Sequence, residues 1–393
     1  MLYKLIKKIN NIFDSWISLI KLSNLSSDMR CLIFYAETSA DWAFLNPVAE
    51  SLELINEKII RITSDSDDRL LSLPYVYYIG FGGARTLLFR TIKADVFVMT
   101  LTDLGSFYLK RSLYPVHYFY IFHSIASTHR VYREHAFDAY DTILCVGNHQ
   151  IKEIRKTEEI HSLPKKNLEV YGYGRLDTLI TEKNKKRLIN KDKNKKILPN
   201  VLIAPSWGEC SLVNQHLDRL INILILANFS VTLRLHPMTN WRHPELSNNF
   251  KKKYEITGNF SFDPHIENVN SLLEADIMIS EWSGAPLEYA FATERPVIFV
   301  DTQPKINNLN WKKINLPCLE ETIRKDIGKI VSTQELESIP KIVKELIADV
   351  DYWSKKIRNI REHTVFNIGT SSKVGTEIIC KTLALKQTNN DSK

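Results

Sequence analysis

Between Glu274 and Asp301 two short apolar runs, Ala275–Ile279 and Pro296–Val300, bracket a stretch with helical character. Nearly continuous apolar runs of this length are strands covered on both faces, and such strands belong to parallel sheets whose crossovers are helices. Gly284–Ala292 reads as that crossover, with Pro286 in the first turn, where a missing N–H is not needed. Ser280, Glu281, Trp282 and Ser283 then lie at the carboxyl end of the first strand. Open α/β sheets take ligands at that edge, and a helix N-terminus there favours phosphate. An ordinary βαβ unit whose serines only cap the helix fits the same residues.

The same pattern recurs along the chain. Cys31–Tyr35, Ile59–Thr63, Val76–Ile79, Asp95–Thr100 and Val116–Phe122 read as strands, with helices around Trp42–Leu54 and Arg85–Ile92. Gly80, Gly82 and Gly83 mark a tight turn but do not form the spaced glycine fingerprint of a dinucleotide site. Val116–Phe122 ends in His123. A histidine at the carboxyl end of a parallel strand faces the crevice, titrates near neutral pH and could take a proton from a hydroxyl. A solvated loop histidine fits that position equally. In the second half, strand Val201–Ala204 leads into Pro205-Ser206-Trp207-Gly208-Glu209, and strand Val231–Leu235 into Arg234-Leu235-His236-Pro237. Alternation along a strand puts Arg234 and His236 on one side, where they could grip a pyrophosphate.

The expected architecture is therefore α/β: two Rossmann-type domains facing a central cleft, preceded by an amphipathic helix. The divisions read as a helix over 1–28, a first domain over 29–180, a basic linker over 181–197, a second domain over 198–334, and bracing helices over 335–393. Of the net charge of +7, most lies in Thr181–Lys196, which holds eight Lys/Arg against two acidic residues. That tract lacks the interleaved aromatics that stack on bases, so a solvated linker is favoured over a nucleic-acid surface. Five scattered cysteines without a CxxC pair read as reduced core residues, with neither disulfide framework nor zinc site. At the N-terminus, Leu2, Leu5, Ile6, Ile9, Phe13, Trp16, Ile17 and Ile20 share one helical face, with lysines largely on the other. Polar residues interrupt this stretch too often for a membrane span. It suits a helix lying in an anionic membrane surface, or one packed on the protein's own body.

Taken together, these residues resemble a known family. Arg234-Leu235-His236-Pro237 after a strand, then Ser280-Glu281-Trp282-Ser283-Gly284 with Glu288-Tyr289-Ala290, and Arg295–Phe299, are similar to motifs of the CDP-glycerol glycerophosphotransferases of teichoic-acid synthesis. Phe122-His123, Phe137–Asp141, Gly172–Asp177 and Asn367–Ser371 fit the same family in the same order. The resemblance implies a GT-B fold, peripheral attachment at the cytoplasmic face of the cell membrane, and transfer of a polyol phosphate from a CDP donor. It implies His123 as base and His236 and Ser283 on the donor's phosphates.

The resulting expectation is His123 and His236 as catalytic residues, and Arg234, Ser280, Ser283 and Gly284 on the donor phosphates. Ser206, Glu281 and Glu288 are expected on the nucleotide or polyol. No metal and no cofactor is expected. The expected partners are CDP-glycerol or a related CDP-polyol, a lipid-linked glycan or polymer acceptor, and an anionic membrane surface, with no nucleic acid. The chain departs from the family at Ser124, where glycine follows the histidine, at Gly284, where a serine is usual, and at Glu281 and Glu288, where aspartates are usual. The rival readings are a GT-B glycosyltransferase or epimerase using a UDP-sugar, and a non-catalytic membrane-associated assembly protein.

Overall fold

Short runs rich in Val, Ile, Phe and Tyr, whose branched or aromatic side chains suit a pleated surface, form two sheets in which every strand pair is parallel. The computed structural model describes residues 2–102, 104–106, 109–189, 198–264 and 269–391. The chain divides into two units, one comprising Met1–His123, Tyr132–Arg175 and Phe366–Lys393, the other Ser124–Val131 and Leu176–Val365.

The first unit contains β1 (Leu32–Ala36), β2 (Ile59–Thr63), β3 (Val76–Tyr78), β4 (Val96–Met99), β5 (His117–Ile121), β6 (Thr142–Cys145) and β7 (Asn167–Val170), in the order β3-β2-β1-β4-β5-β6-β7. Both faces are buried; on one of them Phe34, Val98, Phe119 and Leu144 pack with Leu45, Val48 and Leu52 of the helix Trp42–Glu53 and with Ile379 and Leu383 of the helix Ser371–Asp391. Burying each such side chain contributes about 1.5–3 kcal/mol. Gly375 lets the last helix approach closely, since a Cβ there would stand 2.8 Å from the Tyr171 ring and 3.0 Å from Val48. Two of the recognised motifs meet in this unit. Asn367 Nδ2 donates to the Val170 carbonyl (2.7 Å), and the Tyr173 amide donates to Ser371 Oγ (3.1 Å). Gly172 makes that turn at φ +103°.

The second unit contains β8 (Asn200–Ile203), β9 (Ser230–Leu233), β10 (Phe260–Phe262), β11 (Ile277–Ser280), β12 (Val297–Asp301) and β13 (Gly328–Ser332), in the order β10-β9-β8-β11-β12-β13. The strand order reverses between β8 and β11, which makes the loops after these strands the ligand-binding position of a doubly wound sheet.

Three boundaries differ from the divisions read in the sequence. The division after the first sheet falls between Arg175 and Leu176, and the helix Gly174–Ile189 runs on through the first half of the basic tract. Lys, Arg and Glu are good helix formers, so charge density alone does not make a linker. Lys186 also pairs with Glu274 at 2.6 Å. The rest of the tract, 190–197, lies outside the described residues. At the C-terminus the helices Ile339–Ala348 and Val350–Thr364 belong to the second unit and Ser371–Asp391 to the first. The third difference is the eight-residue stretch Ser124–Val131. It follows a strand of the first sheet yet packs in the second unit.

Candidate active site

In the first unit, β5 is buried through Ile121, Phe122 is buried after it, and half-buried His123 stands just past the strand's carboxyl end. Its ring sits edge-on to Phe44 (6.1 Å between centroids) and Tyr132 (5.6 Å). Nδ1 lies 3.5 Å from the Tyr120 hydroxyl. Burial, with Tyr132 and Tyr140 adding to it, holds that hydroxyl's pKa well above its ordinary value, so it stays protonated at neutral pH. With Nδ1 turned to Tyr120, a base at this position would take a proton from a bound hydroxyl at Nε2. Phe44 also carries the Arg175 guanidinium at 5.3 Å.

The second unit collects its polar groups at the carboxyl edge of the sheet. Glu281, 2% exposed, accepts from the amides of Ser206 (2.9 Å) and Leu212 (3.0 Å) and from Ser211 Oγ (3.0 Å) at one oxygen, and from Thr302 Oγ1 (2.9 Å) at the other. One carboxylate thus ties together the loops after β8, β11 and β12. Its lone pairs are engaged inside the protein, which makes it a peg for these loops. Ser280 is also structural: fully buried, it donates to the Ala204 carbonyl at 2.6 Å and joins the ends of β11 and β8. Ser206 enters the same network through its backbone, with its amide on Glu281 and its carbonyl accepting from Ser211 Oγ at 2.8 Å.

Ser283 and Gly284 open the helix Ala285–Thr293. Ser283 Oγ accepts from the Ala285 amide (3.3 Å), and Glu288, buried, lies in the first turn. The helix therefore directs its N-terminal N–H groups to the ligand edge. Gly284 leaves room for Ser124: a Cβ there would collide with Ser124 Oγ and stand 3.3 Å from its Cβ. The stretch carrying Ser124 is pinned within this unit. The Ser127 amide donates to Glu320 (3.0 Å), Ser127 Oγ accepts from the Leu319 amide (2.7 Å), and buried Arg130 pairs with Glu320 (3.1 Å) and Glu321 (3.0 Å). Arg130 and Arg324 also lie 4.8 Å and 4.1 Å from the Trp282 ring, whose Nε1 donates to the Thr302 carbonyl (2.7 Å).

After β9, Arg234 is buried and already paired: Nε and Nη2 donate to Asp263 Oδ2 at 3.2 and 2.7 Å. Its charge is balanced inside the protein, so it positions the loop without adding net charge for a phosphate. His236 caps the helix Pro237–Arg242, with Nδ1 accepting from the Met238 amide (3.1 Å). That bond selects the tautomer with its proton on Nε2, a donor for an anion. Its ring lies 6.1 Å from Trp207. Two cations stand over the same indole, Lys305 Nζ at 3.4 Å and the Arg242 guanidinium at 4.9 Å from the ring centroid. Burial, and then the charge of Arg242, lower the Lys305 pKa to about 8.

The sequence reading brought His236, Ser280, Glu281, Ser283, Gly284, Glu288, Ser206 and Arg234 correctly to one sheet edge, but it passed over Ser124, Arg242 and Lys305. Lys305 had a signal, lying four residues past the end of β12, where the rule applied to the other strands places ligand groups. Ser124 had the same signal, three residues past the end of β5, but was named only as a departure from the family pattern; Arg242 had none, because its neighbours are distant in sequence. Elsewhere, Glu134, His135 and His161 each bring a ligand-type atom within 4.8 Å of the others, the one such group among the described residues. Internal pairs, Glu134 with His161 (3.2 Å) and His135 with Asp138 (2.6 Å), account for it without a metal.

Two wholly parallel α/β units define a GT-B-like fold. The same fold is found in the wall teichoic acid polymerase TagF (TM-score 0.57, 15% identity, covering 98% of this chain and 99% of that one). It is found also in UDP-GlcNAc 2-epimerase from Neisseria meningitidis bound to UDP-GlcNAc (0.56, 16%, 89% and 99%) and in a glycosyltransferase from Rickettsia africae (0.51, 13%, 90% and 99%). At such identities the likeness shows the fold alone. None of the curated proteins matches the sequence. Residues 123–305, a little under half of the chain, match the family model described as CDP-Glycerol:Poly(glycerophosphate) glycerophosphotransferase. The match begins at His123 and ends at Lys305. Over that stretch the chain is similar to the CDP-glycerol glycerophosphotransferase family, as its motifs indicated.

Proposed function

We propose that this enzyme transfers glycerol phosphate, or a related polyol phosphate, from a CDP-activated donor to a hydroxyl of a membrane-linked glycan or polymer acceptor, in the synthesis of a teichoic-acid-like surface polymer. The observation that carries the reading is His123. Its imidazole stands at the carboxyl end of β5, held through Nδ1 by the Tyr120 hydroxyl, and opens the stretch that matches the family. In the proposed reaction Nε2 of His123 takes the acceptor's proton as the hydroxyl oxygen attacks the glycerol-bearing phosphorus. The bond from that phosphorus to the bridging oxygen breaks, and the electron pair leaves on CMP. His236 Nε2–H and the N–H groups opening the helix at Gly284 stabilise charge on the phosphate oxygens.

A TagF structure soaked with CDPG supports the choice of donor. The likeness to an epimerase and a glycosyltransferase keeps a UDP-sugar reading in play, since the sheet edge suits either diphosphate. The released nucleotide decides between them. Incubation of the enzyme and a lipid-linked acceptor with CDP-glycerol, CDP-ribitol or UDP-sugars should release CMP and give a new phosphodiester phosphorus resonance. Turnover only with a UDP-sugar, releasing UDP, refutes the proposal.

Attachment is proposed to be peripheral, at the cytoplasmic face of the membrane. In the helix Leu2–Ser23, Leu19 and Leu22 turn into the first unit, whereas Ile6, Ile9, Ile12, Phe13, Trp16, Ile17 and Ile20 are exposed. Among the described residues no helix is long and apolar enough to cross a membrane. An exposed apolar stripe beside lysines is the pattern of a helix lying in an anionic surface.

A further inference from the structure

We propose that Lys305 and Arg242, set against the Trp207 indole beside His236, supply the positive charge that binds the donor's two phosphates. This rests on the donor reading above and names the groups that carry it. A nucleoside diphosphate ester brings two negative charges, and the obvious arginine does not answer them, because Arg234 is buried against Asp263. Ser283 and the helix opening at Gly284 offer dipoles, and His236 with Nδ1 accepting from Met238 offers a neutral donor. Lys305 and Arg242 remain, and among the described residues neither has a carboxylate partner. Both face one aromatic ring, which fixes two flexible cations by cation–π attraction without cancelling their charge. Trp207, His236 and Lys305 lie three or four residues past the ends of β8, β9 and β12, so they converge on the ligand edge of the sheet. Burial and the facing charge of Arg242 lower the Lys305 pKa, as expected of a half-buried ammonium set beside another cation.

The test is calorimetric titration of the full-length enzyme and its Lys305→Gln, Arg242→Gln and Lys305→Arg variants with CDP-glycerol and with a UDP-sugar, after thermal melts have shown all four folded. Lys305→Gln and Arg242→Gln should each weaken CDP-glycerol binding by about tenfold or more, the expected loss for a charge-assisted phosphate contact. Wild-type affinity should fall between pH 7 and 9.5 as the Lys305 ammonium deprotonates. Lys305→Arg should remove that fall while keeping affinity at pH 7. If both glutamine variants bind CDP-glycerol as tightly as wild type, the assignment is overturned and the donor reading survives. If wild type binds only the UDP-sugar and the variants still lose affinity, the donor reading falls and the anion site stands. If wild type binds neither nucleotide, both fall.

Discussion

Replacing Gly284 by alanine tests how the two motif segments fit together in the second unit. The new Cβ would overlap Ser124 Oγ and stand 3.3 Å from Ser124 Cβ and 3.8 Å from its Cα. Ser124 cannot swing aside without loss, because its Oγ accepts from the Ala126 amide at 3.1 Å, and the chain beyond is anchored through Ser127 and Arg130. Overpacking of this kind costs about 1–3 kcal/mol, and giving up the Ala126 bond to relieve it costs about 1 kcal/mol. Gly284→Ala should therefore lower stability by about 1–3 kcal/mol. Ser124→Gly alone should lose about 1 kcal/mol, through the lost bond and the freer unfolded chain. In the double variant the overlap is gone, so the two effects should fall short of additivity by at least about 1 kcal/mol. Urea unfolding of the four proteins gives the cycle directly. Additivity within about 0.3–0.5 kcal/mol would mean that the side chains do not compete for one space, and the close approach would be refuted.

His123→Ala should reduce turnover about 10²–10⁴-fold while leaving CDP-donor affinity near wild type, read by single-turnover rates beside titration; unchanged turnover removes the base assignment. Glu281→Ala leaves the Ser206 and Leu212 amides and the Thr302 hydroxyl without their acceptor and should destabilise the protein by about 2–5 kcal/mol in urea unfolding; wild-type stability would show that the carboxylate is not the peg of these loops. Burial alone would raise the Glu294 pKa, but Arg358, Lys183, Ser354 and Arg361 hold it at about 2. Its contribution is therefore present above the unfolded value of about 4.5 and lost as pH falls towards 2, so wild type and Glu294→Gln should converge in stability over that window, and a pH-independent difference contradicts the linkage. Deleting residues 1–27 should leave a folded protein that no longer sediments with anionic liposomes; equal sedimentation of both forms excludes the anchor.

Much of this fold was legible because buried parallel strands are written as short apolar runs. Ile59–Thr63 was read to the residue, and β1, β4, β5, β8, β9, β11 and β12 were placed to within one or two residues at each end. What escaped was set by contacts far apart in sequence. A histidine or serine past a strand end marks the ligand edge from local pattern alone, and that rule found His123, His236, Ser280, Glu281 and Ser283. It cannot tell a side chain aimed at ligand from one consumed by the protein. Arg234 meets Asp263 across twenty-nine positions and Glu281 meets Ser206 across seventy-five, so the roles of both were decided by partners that no local window contains. The basic tract misled for a related reason, since charge composition reports solvation and not whether the backbone is helical.

Long-range contact also joins two positions at which this chain departs from the family pattern it resembles. Serine stands at 124 and glycine at 284, where the family pattern has glycine after the histidine and serine at the helix opening. Taken singly, each change removes or adds a hydroxyl beside a proposed donor contact. In the second unit, Ser124 Oγ occupies the space in which a side chain at 284 would begin. Ser124 and Gly284 thus fit one space: the hydroxyl comes from the pinned stretch after His123, and glycine at 284 admits it. That fit sets the Ser124 hydroxyl beside the N-terminus of the helix Ala285–Thr293, an end at which helix dipoles favour anions.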